Sequence, residues 1–251
     1  MRPDVLDLKA YYASALGPPT VNAIANTLPK FQKGERVLAL GYGIPYLEAL
    51  AHECSRAVAA MPARQGALIW QQEGGNQACL VDVDDLPFDD ALFDHVLLIH
   101  CLEYSGQVGR SLEEAARVLS ACGRLHVVVP NRVGPWSRVE ATPFGNGRPF
   151  SSGQLQDLMH RAHLAAETWQ MALMLPPWKI VTRWMDRAEP VGRRLWSKFG
   201  GVYVVSARKE RFAGRLKAAQ SAASAAPIRV PTFAPVPAAR ASTYQRLTTQ
   251  R

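Results

Sequence analysis

Residues 36–43 read RVLALGYG, a short apolar run that is followed by a tyrosine with one glycine on each side. An apolar run of this length predicts a strand at residues 36–40 that is buried in a sheet. The glycines allow a tight turn at residues 41–43, and residues 46–54 have the apolar spacing of a helix. A strand, a glycine turn and a helix in succession are typical of the first unit of a parallel α/β sheet.

The alternation of strands and helices continues to about residue 209. Apolar runs predict further strands at residues 57–61, 78–83, 93–99, 124–129, 165–175 and 201–207. Amphipathic spacing predicts helices at residues 111–119 and 151–162. Ser111 is placed to cap the first of these helices, and Gly123 is placed to end it. We therefore expect one α/β domain over residues 34–209, with a mostly parallel sheet and helices on both faces.

Three segments lie outside the expected core of this domain. Residues 1–33 include a helix-like run at 21–28, and we expect them to form a helical cap over the mouth of the sheet. Residues 176–199 are an insertion before the last strand, and we expect them to form a lid. Residues 210–251 are rich in Ala, Ser and Pro without apolar periodicity, which predicts a largely disordered basic tail.

The net charge of +8 is located at the carboxyl end of the chain. Residues 208–251 contain nine basic residues and one acidic residue, so residues 1–207 contain 20 of each. The neutral core gives no indication of a nucleic acid partner. The tail could contact nucleic acid or anionic lipid through screened charge attraction, although a solvated extension that binds neither is the preferred interpretation.

Cysteine, histidine and apolar patterns exclude several classes of protein. The four cysteines lie far apart with no CxxC pair, which argues against a zinc site and a disulfide framework. His160 and His163 are spaced for one helix face but lack a third ligand, so no metal site is expected. No apolar run approaches the roughly 20 residues of a membrane helix, and the first residues show no apolar signal region. A cytoplasmic protein without a transmembrane segment is expected.

Four stretches, taken in order, carry a resemblance to a known family. They are VLALGYG at 37–43, DVDDLPF at 82–88, FDHVLLIHCLE at 93–103, and the helix and strand at 114–132. On the alternating β/α frame, these stretches resemble the class I S-adenosylmethionine (SAM)-dependent methyltransferases of the small-molecule, type 11 kind. The resemblance implies a Rossmann-like open sheet of the class I methyltransferase type with an antiparallel last strand. It also implies S-adenosyl-L-methionine as the cofactor.

The resemblance places the cofactor at the carboxyl ends of the strands, where ligands bind in open α/β sheets. The glycines of the first turn would let the backbone approach the methionine part of SAM, and an aspartate would accept a hydrogen bond from the adenine amino group. The predicted cofactor-binding residues are Gly41, Tyr42, Gly43, Asp82, Val83 and His100.

Methyl transfer needs little from a protein beyond alignment, because the sulfonium of SAM is already activated. The sequence offers three catalytic candidates, which are His100, Glu103 and Tyr104. His100 could move a proton from the acceptor, since histidine has an ordinary pKa near physiological pH, or it could simply line the pocket. Glu103 and Tyr104 could contact the acceptor, but a capping or surface role is the preferred interpretation.

Three positions depart from the family pattern. Ala39 stands where the first strand usually carries an acid, Pro45 near the usual third glycine, and Met61 where an acid usually holds the ribose. Loss of that charge-assisted contact predicts a SAM affinity weaker by roughly one to two decades. The chain is therefore either an active methyltransferase or a catalytically inactive methyltransferase-like protein that binds a partner protein or another ligand. A NAD-dependent oxidoreductase is disfavoured, because no GxGxxG opens the first helix.

Residues 131–150 follow the carboxyl end of a strand, so we expect this loop to face a small-molecule acceptor. Its aromatic residues and nearby tryptophans could form a lid over an apolar or planar acceptor, or they could pack the insertion against the sheet. These aromatic residues are Trp136, Phe144, Trp169, Trp178 and Trp184.

Overall fold

The computed structural model describes residues 3–178, 189 and 200–210. The described strands, in chain order, are β1 (Arg36–Gly41), β2 (Arg56–Pro62), β3 (Gln71–Gln72), β4 (Gly75–Asn76), β5 (Ala78–Val81), β6 (Phe93–Ile99), β7 (Leu119–Pro130), β8 (Leu164–Ala172) and β9 (Val202–Lys209). The strands predicted from the apolar runs are thereby confirmed, with ends that shift by a few residues. Nearly all of the predicted lid and tail lies outside the described residues.

Seven of these strands form one sheet in the order β5-β2-β1-β6-β7-β9-β8, and β3 and β4 form a separate antiparallel hairpin. The strands from β5 to β7 in this order are parallel, whereas β9 runs antiparallel to both of its neighbours. The chain moves outward from β1 to β2 and β5, and then returns to place β6 on the other side of β1. The carboxyl ends of β1 and β6 therefore flank the switch point at which such sheets bind ligands.

Helices cover both faces of the sheet. They are α1 (Val5–Ala13), α2 (Gly17–Ala25), α3 (Ile44–Leu50), α4 (Val108–Val118) and α5 (Ser152–Arg161). Side chains of β1 alternate between the two faces: Val37 and Ala39 pack in the core with α1, α2 and α3, and Leu38 and Leu40 pack in the core with α4 and α5. The expected sheet covered on two faces is confirmed. Among the described residues, no helix is both long enough and apolar enough to cross a membrane.

Helix α4 differs from its prediction at both ends. It begins at Val108 rather than Ser111, and the Ser111 hydroxyl donates to Asp84 Oδ1 at 2.6 Å from inside the helix. It ends at Val118, and β7 starts at the next residue. Gly123 lies within β7, where a Cβ would come within 2.8 Å of the Asp94 carbonyl oxygen. The prediction that Ser111 caps the helix and Gly123 ends it was wrong. Ser111 instead hydrogen-bonds to a neighbouring loop, and Gly123 allows β7 to approach Asp94 closely.

A row of polar side chains crosses the buried face between β6, β7 and β9. His95 Nδ1 lies 3.1 Å from His126 Nε2, and His126 Nδ1 lies 2.9 Å from Ser206 Oγ. Glu35 Oε1 lies 3.3 Å from His95 Nε2 at the outer end of the row. His126 is fully buried, and burial together with the nearby His95 and Arg124 lowers its pKa to about 3. His126 is therefore a neutral, hydrogen-bonded core residue.

Stability should decrease with acidification because of His126. The unfolded chain binds a proton at this side chain below its ordinary pKa of 6.5, whereas the folded chain does so only near 3. The contribution of neutral His126 is thus complete above that ordinary value and is lost progressively as the pH falls. Between neutral pH and about pH 5 we expect a loss of about 2 kcal/mol from this group.

Urea denaturation at both pH values, on the wild type and on His126→Gln, measures this loss. The variant should start from a lower stability and should lose about 2 kcal/mol less between the two pH values. An identical pH dependence in both proteins would contradict the assignment.

Candidate functional site

A cavity of about 460 Å³ opens at the carboxyl ends of three parallel strands. Its walls come from the residues that follow β2, the end of β5 and the loop after β6, and they include Ala63, Gln65, Asp82, Val83, Cys101 and Tyr104. Because the sheet order brings these strand ends to one edge, residues far apart in sequence share this cavity.

Asp82 is the acidic side chain at the end of β5. Its Oδ1 accepts a hydrogen bond from the backbone N–H of Asp84 at 3.0 Å, which closes a tight turn. The other oxygen makes no hydrogen bond with any described residue, so it is free to accept one from a ligand in the cavity. Val83 follows in the wall and offers an apolar surface beside it. The neighbouring Asp84 is already engaged, since its Oδ1 accepts the Ser111 hydroxyl.

The glycine turn after β1 is closely packed against the protein itself. Gly41 has φ +95°, and a Cβ there would lie 2.0 Å from the Ile99 carbonyl oxygen. A Cβ on Gly43 would lie 2.4 Å from the Cβ of Ala39. Both glycines are thus required by the approach of β6 and of β1, whatever the turn binds. The small Ala39, in place of the acid usual at this position, is part of that close packing.

Tyr12 of α1 covers this turn. Its ring stacks on Tyr42, with centroids 5.5 Å apart and planes at 25°. Its hydroxyl oxygen lies 2.7 Å from His100 Nε2 and 2.9 Å from the hydroxyl oxygen of Tyr46. The amino-terminal helices therefore reach the strand edge, and the sequence did not reveal that Tyr12 makes this contact.

His100 follows β6 and is held from several sides. It has φ +52°, which is uncommon for a residue with a side chain. Its carbonyl accepts a hydrogen bond from Gln65 Nε2 at 2.8 Å, and its ring packs against Phe144 at 4.7 Å. Such a backbone persists where its surroundings fix it, and it is common at functional sites.

Glu103 is a fully buried carboxylate next to this histidine. Oε1 lies 3.3 Å from His100 Nδ1, but neither oxygen makes a hydrogen bond of good geometry with the residues that the structure describes. A buried carboxylate without such bonds is costly unless a positive charge or a donor compensates it. Glu103 is therefore an incompletely satisfied negative group directly beneath the strand edge.

The contacts favour one arrangement of protons among Tyr46, Tyr12 and His100. Burial raises the pKa of both tyrosines, so both hydroxyl groups keep their protons. If Tyr12 donates to His100 Nε2, the remaining ring proton lies on Nδ1 and faces Glu103. The opposite tautomer would turn a lone pair toward the carboxylate. A chain of polar contacts therefore connects Tyr46, Tyr12, His100 and Glu103 in that order.

The structure divides the predicted site residues into two groups. Asp82, Val83 and Tyr104 line the cavity, and Tyr104 donates its hydroxyl proton to the Pro143 carbonyl at 2.6 Å. The residues packed beside the cavity, beneath Tyr12, are Gly41, Tyr42, Gly43, His100 and Glu103. Sequence reasoning missed Tyr12, Tyr46 and Gln65, for which no local motif was available.

The loop at 131–150 does not present its large aromatic residues to the cavity. Trp136 and Phe144 are fully buried and pack edge to face at 5.9 Å. Trp136 Nε1 donates to the Leu175 carbonyl at 2.6 Å. These two residues attach the loop to the core, which is the packing role that the sequence left open beside a lid. Trp178 is exposed, and Trp184 lies outside the described residues.

Comparison with known proteins identifies relatives of this fold. Residues 38–127 match a family model described as methyltransferase domain. A search of curated proteins gives no match. The matched region contains the second and third of the four stretches completely and most of the first and the fourth.

Solved structures share the fold at low sequence identity. A SAM-dependent methyltransferase from Thermotoga maritima is 19% identical with a TM-score of 0.55, over 82% of this chain and 96% of that one. A methyltransferase from Mesorhizobium loti is 18% identical with a TM-score of 0.52, over 78% and 99%. A geranyl diphosphate C-methyltransferase from Streptomyces coelicolor A3(2) is 14% identical with a TM-score of 0.53, over 77% of each chain. These matches and the sheet order confirm the predicted class I methyltransferase fold.

Removing the Tyr12 hydroxyl should destabilise the protein. Tyr12→Phe leaves His100 Nε2 and the Tyr46 hydroxyl without this buried partner, so we expect a loss of about 1–3 kcal/mol in the free energy of unfolding. Tyr11→Phe is the matched control, because Thr20, the partner of Tyr11, keeps its bond to the Leu16 carbonyl. Urea denaturation measures both losses, and equal losses would contradict a special role for Tyr12.

Proposed function

We propose that this chain, whose residues 38–127 match the methyltransferase domain family, is a SAM-dependent methyltransferase that acts on a small-molecule acceptor. The observation that carries the proposal is the cavity of about 460 Å³ at the strand carboxyl ends, with Asp82 and Val83 in its wall. The cavity lies beside the switch point of the sheet, and open α/β sheets of this kind bind their ligands there.

The residues of this edge fit SAM in two parts. The cavity suits the adenosine half, because Asp82 has a free oxygen for an amino group and Val83 offers an apolar contact. The methionine half carries positive charge at the sulfonium and the ammonium. The buried Glu103 carboxylate, with no hydrogen bond to a described residue, supplies a complementary charge near the glycine turn. The rings of Tyr12 and Tyr42 are suited to contact with a cation.

In this proposal Tyr12 must leave Tyr42 for the methionine half of SAM to reach the glycine turn. The ligand would then have to offset the Tyr12–His100 hydrogen bond and the ring stacking. Re-closure of α1 over the bound cofactor would exclude water from the reacting groups. The amino-terminal helices thus act as the cap of the site.

When bound, SAM supplies a methyl group on a sulfonium that is already activated for transfer. The protein then has to position the acceptor and, where the acceptor loses a proton, receive that proton. His100 Nε2 is the atom assigned to this task once Tyr12 has moved away, and Glu103 would stabilise the protonated ring from the Nδ1 side. Tyr104 shapes the cavity wall, because its hydroxyl is committed to a carbonyl.

A second candidate function is a methyltransferase-like protein that binds a ligand or partner protein without catalysis. It is favoured by Met61, which is buried in the core at the place of a ribose-binding acid, and by Ala39. The closed contact between Tyr12 and His100 also favours it, since this contact stabilises the form without cofactor.

Isothermal titration with SAM and with S-adenosylhomocysteine tests the proposal. The wild type should bind both ligands, and Asp82→Ala should bind them about ten- to a hundredfold more weakly, because a charge-assisted hydrogen bond is lost. Asp85→Ala is the matched control, since Asp85 is an exposed neighbour outside the cavity wall. Equal affinities in the two variants would remove Asp82 from the site.

The same titration separates the two candidate functions when Tyr12→Phe is included. If the closed contact opposes cofactor entry, the variant should bind SAM up to about tenfold more tightly, because less free energy is needed to open the cap. Absence of binding at millimolar SAM in both the wild type and Tyr12→Phe would exclude the enzyme and leave the inactive binding protein.

A further inference from the structure

A second cavity, of about 360 Å³, adjoins the first one at Gly106. Its walls come from the start of α4, the loop before α5 and the outer face of α5, and they include Val108, Arg148, Phe150, Leu158 and Arg161. Gly106 is exposed and lines both cavities, and a Cβ there would meet no atom within 4 Å, so no side chain separates the two cavities at this residue. The second cavity therefore lies where an acceptor could extend away from the proposed cofactor site.

Two arginines of this cavity have no carboxylate partner. Arg148 and Arg161 are exposed, and neither makes an ion pair or a side-chain hydrogen bond with the residues that the structure describes. By contrast, Arg117 of α4 is paired with Glu114 at 2.8 Å. Asp157 also lines the cavity but pairs with neither guanidinium group. The cavity thus presents two uncompensated positive groups and one separate acid.

The backbone at Arg148 is held by the segment that follows β6. Its backbone N–H donates to the Glu103 carbonyl at 2.9 Å. The preceding Gly147 has φ +82° and packs so closely on Tyr104 that a Cβ would come within 2.7 Å of the ring. These contacts fix the loop that carries Arg148 to the residues of the first cavity. The backbone of Arg148 is therefore held at a fixed place beside the first cavity.

The remaining wall of the cavity is apolar. Phe150 is almost fully buried, and Val108 and Leu158 lie beside it. An apolar floor next to two guanidinium groups is complementary to a molecule with a hydrocarbon body and an anionic end. Guanidinium groups bind carboxylate and phosphate through paired hydrogen bonds, which single point charges do not provide.

We propose that this second cavity binds the anionic end, a carboxylate or a phosphate, of an amphiphilic small-molecule acceptor. The proposal rests on the proposed methyltransferase function for the identity of the ligand as an acceptor. Arg148 and Arg161 bind the anionic group, and Val108, Phe150 and Leu158 contact the hydrocarbon part near Gly106, where the two cavities adjoin. The methylated atom then lies toward the first cavity.

Isothermal titration of the full chain with octyl phosphate tests the anion site directly. The wild type should bind octyl phosphate, and Arg148→Ala/Arg161→Ala should bind it at least about tenfold more weakly. Inorganic phosphate should bind the wild type more weakly than octyl phosphate does, because it lacks contact with the apolar floor. Octanoate in place of octyl phosphate distinguishes a preference for carboxylate from one for phosphate.

Arg138→Ala is the matched control, because Arg138 is an exposed arginine of the same loop, without an ion pair among the described residues and outside the cavity wall. It should bind octyl phosphate as the wild type does. The basic tail is present in all of these proteins, so it cannot produce a difference between them. Absence of octyl phosphate and octanoate binding in the wild type, or unchanged affinity in the double variant, would overturn the proposal.

SAM titration of the same proteins keeps this test independent of the proposed function. The double variant should bind SAM as the wild type does, since its two arginines lie outside the first cavity. Binding of octyl phosphate that depends on the two arginines, without SAM binding in any protein, would support the anion site and reject the methyltransferase. SAM binding without arginine-dependent anion binding would support the methyltransferase and reject the anion site.

Discussion

The parallel pairing of β1 with β6 is the constraint on which the rest of the edge depends. It sets Gly41 level with Ile99, and the carbonyl of Ile99 then leaves no room for a side chain on Gly41. The glycine turn and His100 consequently emerge side by side from adjacent strands. With β2 and β5 in order beyond β1, the residues after those strands complete the cavity on one side. The position of the candidate site is thus a consequence of strand order, and its chemistry depends on the few side chains that the loops add.

The edge combines an open half with a closed half. The cavity around Asp82 is accessible, whereas the glycine turn is covered by Tyr12 and its contacts. The methyltransferase domain model matches residues 38–127, which include both halves of the edge but not α1. The covering helix α1 lies outside the matched region. Ala39 and Met61, which stand where the family usually has acids, are both fully buried in the core, where a carboxylate would have little space.

Local patterns in the sequence predicted the strands, the two-faced sheet and the strand-end positions of Asp82 and His100, because apolar runs and turn glycines act over a few residues. They failed where the deciding contact is distant. Tyr12 and His100 are 88 residues apart in sequence, so no window around either residue shows that they touch. The position of Ser111 predicted a helix cap, but its hydroxyl donates to Asp84, which belongs to another loop. Asp4 and Asp7 form a capping box for α1, a local signal that could have placed this helix from the sequence.

The contact between α1 and the end of β6 also has a consequence for synthesis of the chain. The ribosome releases α1 before β6, but Tyr12 of α1 bonds to a histidine that is translated 88 residues later. Until β6 emerges and joins the sheet, Leu8 and Tyr12 have no completed surface to pack against. Helix α1 is thus made before the surface it docks on, and until β6 is in place it exposes apolar groups of the kind that make unfinished chains prone to aggregation.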